Sequence, residues 1–336
     1  MARLLRIEGK IDISQFWPGG SSDADTTKIQ LSVEPGAFAF DFDGQGFRRT
    51  DVFEGAEARG TGRKKVISAA RKVTVRLQGI DAPELHYRAG ALKQSSEISP
   101  EERAAFNQLN SKERRQFLGE TATVALANFL ATFGSGAIPC QFYTFVDAPG
   151  DAIDTYGRFV GNIMVGPGFL TDVNLWLAEQ GWAFPTFYSS MAKAEITLFL
   201  DAMEKGKAKG RVWDNYSRDT RGFDPDLVYR GEGATIDAAA DVGPVLMPKV
   251  FRRLLAFTFE KTAGIRTGSF KAYLKERRDE CFGLNDFLEQ GSEAATLTTL
   301  DRFMTGTRFR PEPQDLVFRE KPSSLFDANG VRITSF

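Results

Sequence analysis

The sequence predicts an α+β fold made of two domains, and three observations support this prediction. Residues 28–33 and 73–80 alternate polar and apolar side chains, which is the pattern of half-buried strands. Residues 191–209 instead repeat apolar side chains at helical spacing, with several lysines on the other side. The chain has 336 residues, and at about 150 residues per domain this length favours two domains.

The composition excludes several classes of protein. A chain with 42% hydrophobic and 26% charged residues is globular rather than disordered. No run of about 18 apolar residues predicts a membrane-spanning helix, so no membrane partner is expected. The 43 basic and 44 acidic residues give a net charge of −1. That balance excludes a protein held on nucleic acid by bulk positive charge, although it allows a local basic site.

Cysteine and histidine usage narrows the chemistry further. Cys140 and Cys281 form no Cys-x-x-Cys pair, so no disulfide framework is predicted. His86 is the only histidine, which excludes a zinc site of several histidines and any Ser-His-Asp triad that does not use it. Residues 1–20 lack the apolar core of a conventional signal peptide. We therefore expect a cytoplasmic protein, with export by a non-classical route as the alternative.

Strands and helices alternate through residue 216. We predict strands at residues 4–17, 28–33, 73–80, 140–146 and 158–165. Ser99 and Pro100 begin a helix, because serine is a favoured N-cap and proline a favoured first helical residue. Further helices are predicted at residues 112–133, 173–180 and 191–209.

The pattern changes after residue 216. Residues 217–244 are polar and rich in Gly, Asp and Arg, which favours a linker or an extended wrapping segment. From residue 245 a second unit begins, for which we predict a strand at 250–259 and helices at 270–290 and 297–304. We assign residues 245–336 to a small C-terminal α+β module of unknown role.

The residues that indicate chemistry cluster around one predicted strand end. Arg76 is followed by Asp81-Ala82-Pro83-Glu84, and a second arginine occurs in Tyr156-Gly157-Arg158. Carboxylates and a backbone carbonyl suit Ca²⁺ or Mg²⁺, and a further carboxylate can deprotonate a water. Two arginines can fork onto phosphate oxygens. This set predicts metal-assisted hydrolysis of a phosphodiester.

Four strings of the sequence resemble the staphylococcal (micrococcal) nuclease, or thermonuclease, family, in the family's order. They are Val-Arg-Leu-Gln-Gly-Ile-Asp-Ala-Pro-Glu (75–84), Tyr-Gly-Arg-Phe-Val-Gly (156–161), Val-Asn-Leu-Trp-Leu-Ala-Glu-Gln-Gly-Trp-Ala (173–183) and Ala-Lys-Gly-Arg-Val-Trp (208–213). The resemblance covers residues 5–216 and implies an OB-fold, a five-stranded barrel with helices. It implies a Ca²⁺-dependent endonuclease, with Mg²⁺ as a weaker substitute. Such an enzyme cuts single-stranded or locally open DNA or RNA at the P–O5′ bond to leave 3′-phosphate ends.

The resemblance also assigns roles to the acidic residues. Asp25 and Asp81 would be metal ligands, together with the carbonyl of Ala82. Glu84 would be the general base that activates water. Asp23 would support these ligands without touching the metal.

The remaining assignments concern the substrate. Arg76 and Arg158 would hold the scissile phosphate and stabilise the pentacoordinate state. Tyr156 would contact the nucleotide, and Tyr188 would take a second aromatic position near it.

The chain departs from the family pattern in several places. Ala24 replaces a glycine between Asp23 and Asp25, and Asp41 with Asp43 is a rival acidic pair. Residues 34–72 and 85–115 are longer than a compact member needs, so we treat them as insertions in a catalytic domain of residues 1–216. A catalytically inactive OB-fold module that binds nucleic acid or a protein partner is the alternative function. A third reading is that the C-terminal module binds a protein partner.

Overall fold

The computed structural model describes residues 3–32, 37–60, 62–92, 97–321 and 323–336. The chain forms two compact units, and neither is continuous in sequence. The barrel unit comprises Met1–Ile80, Thr123–Leu177 and Glu320–Phe336, and the second unit comprises Asp81–Ala122 and Ala178–Arg319. These units do not coincide with the consecutive segments 1–216, 217–244 and 245–336, which stay a prediction.

The described elements are mostly short. The strands are β1 Arg3–Asp12, β2 Thr26–Leu31, β3 Phe38–Phe42, β4 Arg48–Arg49, β5 Glu57–Arg59, β6 Arg63–Lys65, β7 Lys72–Leu77, β8 Ile80–Asp81, β9 Ala137–Phe145, β10 Phe159–Val165, β11 Thr171–Asp172, β12 Phe184–Pro185, β13 Phe187–Tyr188, β14 Glu280–Gly283, β15 Thr298–Thr299, β16 Met304–Thr305, β17 Arg308–Phe309, β18 Leu316–Phe318 and β19 Ser324–Phe326. The α-helices are α1 Pro100–Leu109, α2 Gly119–Ala131, α3 Val173–Glu179, α4 Lys193–Lys209, α5 Pro248–Thr262, α6 Phe270–Arg277 and α7 Leu284–Gln290.

Five strands of the barrel unit close on themselves in the order β1-β2-β7-β10-β9-β1. All neighbours are antiparallel except β7 and β10, which run parallel with Arg76 opposite Val160. Alternate residues of each strand fill the interior, and Leu5, Ile29 and Val75 are each fully buried there. This closed barrel with helices confirms the predicted OB-fold and α+β class.

The first insertion adds small sheets to the barrel unit. Strand β3 extends the barrel sheet from β1 and carries β4, while β5 pairs with both β6 and β19. Residues 34–36 and 61 of this insertion, and 93–96 of the second, lie outside the described part of the chain. The second insertion contains α1, where Ser99 caps the helix as predicted by accepting a bond from Glu102 N.

The second unit packs its main core around α5. Residues of this helix, of α6 and of the sheet β13-β18-β14-β15 form one buried cluster. The prediction of a strand at 250–259 is wrong. Alternation at Leu255, Phe257 and Phe259 suggested period two, but Pro248 opens a helix that also buries Val250, Phe251 and Leu254.

Three predicted helix bounds are also corrected. Residues 270–290 form α6, β14 and α7, because Arg278 takes a left-handed conformation that ends α6. Residues 297–304 form β15 and a 3₁₀ turn rather than a helix. The helix expected from residue 112 begins at Gly119.

Residues 217–244 wrap the second unit rather than link two bodies. Leu227 O accepts a bond from Arg115 N, and Asp241 O accepts one from Leu118 N. The buried carboxylate of Asp241 pairs with Arg115 at 2.5 Å. This polar segment is therefore ordered, because its backbone and its Asp241 carboxylate have buried bonding partners.

Candidate active site

Arg76 is presented by the alternation of β7. Val73, Val75 and Leu77 point into the barrel, so Arg76 lies on the outer side of the strand with 13% of its side chain exposed. Its Nη1 is 2.5 Å from Asp25 Oδ2 and donates to Asp25 O at 3.2 Å. The predicted arginine and the predicted metal ligand Asp25 are therefore direct partners in the barrel unit.

Asp23 shapes the turn that presents Asp25. Its Oδ1 accepts bonds from Thr26 N at 2.7 Å and Asp25 N at 3.3 Å, which is an Asx-type turn before β2. The supporting role of Asp23 beside a metal ligand stays a prediction. Ala24 is buried and has no positive φ, so this turn does not need the glycine of the family pattern.

Arg158 is held by a second tight turn. Asp154 Oδ1 accepts from Tyr156 N and Arg158 N at 2.9 Å each, and Asp154 Oδ2 accepts from Arg158 Nε at 2.7 Å. Gly157 has φ +77°, a left-handed conformation that favours glycine. Tyr156 points outward with 60% exposure, and the Arg158 guanidinium lies 5.3 Å from the centre of its ring.

The two arginines contact adjacent residues, Asp25 and Thr26. Arg158 Nη1 donates to Thr26 Oγ1 at 3.3 Å, and Thr26 Oγ1 donates to Asp25 Oδ1 at 3.0 Å. Arg76 contacts Asp25 directly. Two guanidinium groups, each fixed by a carboxylate, with an exposed aromatic ring beside one of them, form an arrangement suited to a phosphate and its nucleoside.

Asp81 and Glu84 belong to the second unit. Asp81 is 1% exposed, and the side chain of Glu84 is 14% exposed. The buried side chain of Gln116 accepts a bond from Glu84 N at 3.2 Å. The backbone N of Gln116 donates to Glu84 O at 2.7 Å. Gln116 Nε2 also donates to Leu246 O at 2.8 Å, so this side chain ties the Glu84 turn to the residues that precede α5.

Arg252, from the second turn of α5, holds both of these acids. Its Nη2 is 3.1 Å from Asp81 Oδ2, its Nη1 is 3.5 Å from Asp81 Oδ1, and Nη1 also donates to Glu84 Oε1. Burial opposes the charge of this guanidinium, but the carboxylates of Asp81 and Glu84 outweigh burial and raise the pKa of Arg252. The predicted ligand and the predicted general base therefore share one cation of the same chain.

The remaining candidates have more ordinary surroundings. Tyr188 is half-buried on β13 beside Phe318, with Lys249 Nζ 5.7 Å from its ring centre. His86 packs edge-on against Tyr229. Asp41 accepts a bond from Gly46 N and shapes the hairpin after β3, so Asp25 is better placed than this rival pair to act with Arg76.

The residues present fit a hard cation in their chemistry. Asp81 and Glu84 already hold a cation, the Arg252 guanidinium, and Asp25 holds that of Arg76. In the part of the chain that the structure describes, no three His, Cys, Asp or Glu side chains group as a metal site. A joint site of Asp25, Asp81 and the Ala82 carbonyl stays a prediction, since its members belong to both units.

Sequence reasoning missed three residues that the structure places at these acids and arginines. Asp154 had a detectable signal, because an acid precedes Tyr156-Gly157-Arg158 by two residues. Gln116 and Arg252 had none, since they meet Glu84 from 32 and 168 residues away in sequence.

Comparison with known proteins bears on the same residues. Residues 74–215 match the family model described as staphylococcal nuclease homologue, which covers Arg76, Asp81, Glu84, Tyr156 and Arg158. No curated protein matches the chain. None of the helices in the described ranges has the length and apolarity needed to cross a membrane. The barrel, the two fixed arginines and the family match agree that residues 74–215 belong to the staphylococcal nuclease homologue family.

Proposed function

We propose that this chain hydrolyses phosphodiester bonds in single-stranded or locally open nucleic acid. The observation that carries the proposal is the pair Arg76 and Arg158, both directed to the Asp25–Thr26 step of the barrel unit. A structural ion pair needs one arginine and one acid, whereas two fixed guanidinium groups provide the donors that a phosphate accepts. The family includes nucleases, which supports the same reading.

The arginines act on charge. Arg76 and Arg158 bind phosphate oxygens and stabilise the negative charge that develops at phosphorus, and losing such a donor costs about 10²-fold or more in rate. Tyr156 offers its exposed ring to the nucleoside, and Tyr188 is proposed as a second aromatic contact. A nucleobase can stack on such an aromatic ring, and this stacking does not depend on the nucleotide sequence.

The acids act on water. Glu84 accepts the proton of the attacking water at a carboxylate oxygen. The water oxygen forms a bond to phosphorus as the P–O5′ bond breaks, and the departing O5′ takes up a proton from solvent, which leaves a 3′-phosphate and a 5′-hydroxyl. Asp25, Asp81 and the Ala82 carbonyl would hold Ca²⁺, which when bound supplies positive charge to the phosphate oxygens.

A cleavage assay tests the proposal. The full chain is incubated with single-stranded DNA or RNA in Ca²⁺, in Mg²⁺ or in EDTA, and product ends are identified by phosphorylating free 5′-hydroxyls. We expect Ca²⁺-dependent cleavage with 5′-hydroxyl ends, lowered about 10²-fold in Arg158→Lys and Glu84→Gln. Arg221→Lys, which alters an exposed ion pair with Asp219, is the control and should cleave normally. Cleavage that Glu84→Gln leaves intact would contradict the assigned base.

One observation favours a second function, a nucleic-acid binding module without catalysis. Arg252 occupies both Asp81 and Glu84, so the assigned base is already engaged. On this reading the chain binds single-stranded nucleic acid through Arg76 and Arg158 and cleaves none. Metal-independent binding that Arg158→Lys weakens, with no cleavage in any metal, would select it. A protein partner for residues 245–336 and a cytoplasmic location likewise stay proposals, which co-purification and cell fractionation test.

A further inference from the structure

One arginine of the second unit forms ion pairs with both of the acids that are assigned to metal binding and proton abstraction. Arg252 donates to Asp81 through both terminal nitrogens and to Glu84 through one of them. We propose that Arg252 is the resident cation of the Asp81–Glu84 pair and competes with a divalent metal ion for it. The regulatory meaning of this competition rests on the proposed function, whereas the competition itself does not.

The electrostatics permit one cation at a time. Asp81 is almost fully buried, and a buried carboxylate without a partner is costly, so the pair requires a positive charge. The guanidinium supplies one charge through a flat fork that spans both acids. A divalent ion on the same oxygens would lie within a few ångströms of that guanidinium, where like charges repel strongly.

The surrounding structure allows Arg252 to leave without unfolding α5. Val250, Phe251 and Leu255 anchor the helix in the core, and each is at most 1% exposed. The Arg252 side chain is 28% exposed, so part of it has access to water. Gln116 bonds both to the Glu84 backbone and to Leu246 O, which fixes the acidic turn relative to the start of α5. Exchange of cations therefore needs a side-chain rotation only.

Helix α5 also offers a matched control. Arg253, the next residue, makes a comparable fork onto Asp279, with Nε 2.6 Å from Oδ2 and Nη2 2.7 Å from Oδ1. Its side chain is 32% exposed, close to the exposure of Arg252. Arg253→Gln thus removes an equal charge from the same helix and breaks a similar pair, but leaves Asp81 and Glu84 with their cation.

Calorimetric titration of the full chain with CaCl₂ tests the competition directly. We expect Arg252→Gln to bind Ca²⁺ about tenfold or more tightly than the wild type, and Arg253→Gln to bind as the wild type does. Arg252→Lys should bind more tightly than the wild type as well, because an ammonium cannot bridge both acids. Adding Asp81→Asn to Arg252→Gln should abolish the gain.

The outcomes separate this inference from the proposed function. Equal Ca²⁺ affinity in the wild type and in the folded Arg252 variants overturns the inference. If thermal scans show Arg252→Gln to be unfolded, the comparison of Arg252→Lys with the wild type decides. Tighter Ca²⁺ binding without cleavage by any variant supports the competition and contradicts the nuclease. Cleavage of nucleic acid together with equal Ca²⁺ affinities in the wild type and the Arg252 variants supports the nuclease and contradicts the competition.

Discussion

Asp154 provides the sharpest test of how the barrel unit positions Arg158. Its carboxylate accepts two backbone amides of the turn and pairs with the Arg158 guanidinium, and the two side chains are 15% and 25% exposed. Asp154→Asn keeps an acceptor for the amides but loses the negative charge. We expect a loss of about 1.5–3 kcal/mol in unfolding free energy, the usual contribution of a hydrogen bond to a charged group. Asp154→Ala removes the turn bonds as well and should cost about a further 1–3 kcal/mol.

Asp154→Asn should also lower activity in the protein that remains folded. Without the charge, Arg158 loses the contact that orients its fork, and misplacing such a group by about 1 Å costs on the order of 10²-fold in rate. Urea unfolding, binding of single-stranded DNA and cleavage are measured in parallel. Asp151→Asn is the matched control, since Asp151 caps only the exposed Ala148 N in the same loop. Wild-type DNA affinity and cleavage in Asp154→Asn would refute the argument that this pair positions Arg158.

Three further predictions follow from the same structure. Burial raises the pKa of both Cys140 and Cys281 to about 12, so neither thiol should react with a disulfide reagent at pH 8 until its unit unfolds. Because these folded pKa values exceed the ordinary thiol value of 9.0, the stability that the buried neutral thiols contribute is complete below pH 9 and is lost as pH rises towards 12, which alkaline unfolding measures. Gln116→Leu should destabilise the second unit by about 2–4 kcal/mol and lower cleavage, since it removes the bonds that the Gln116 side chain makes with Glu84 N and Leu246 O; unchanged stability would contradict this. Gly157→Ala should cost about 1–2 kcal/mol, because alanine resists φ +77° and its Cβ would lie 3.2 Å from Lys64 Cδ; wild-type melting would disprove it.

Local patterns were predictable where the side chains of one element decide its structure. The alternation at residues 73–80 located β7, and Ser99-Pro100 located the start of α1. The same reasoning failed at α5, where a run of phenylalanines and leucines satisfies period two and helical spacing at once. For residues 217–244 the sequence left a linker and an extended wrapping segment both open, because a polar segment carries no sign of the buried partners that it contacts.

The sequence by itself determined the family match of residues 74–215 and the OB-fold, and it predicts which arginines and acids the proposed chemistry would use. These follow from short motifs whose residues are close in the chain, so that turns and strand alternation place them. Only the tertiary structure decided which partners those charges take. Arg252 reaches Glu84 across 168 residues and Arg76 reaches Asp25 across 51. Which distant acid an arginine pairs with depends on how its strand or helix packs in the folded protein, and the local sequence periodicity does not encode this packing.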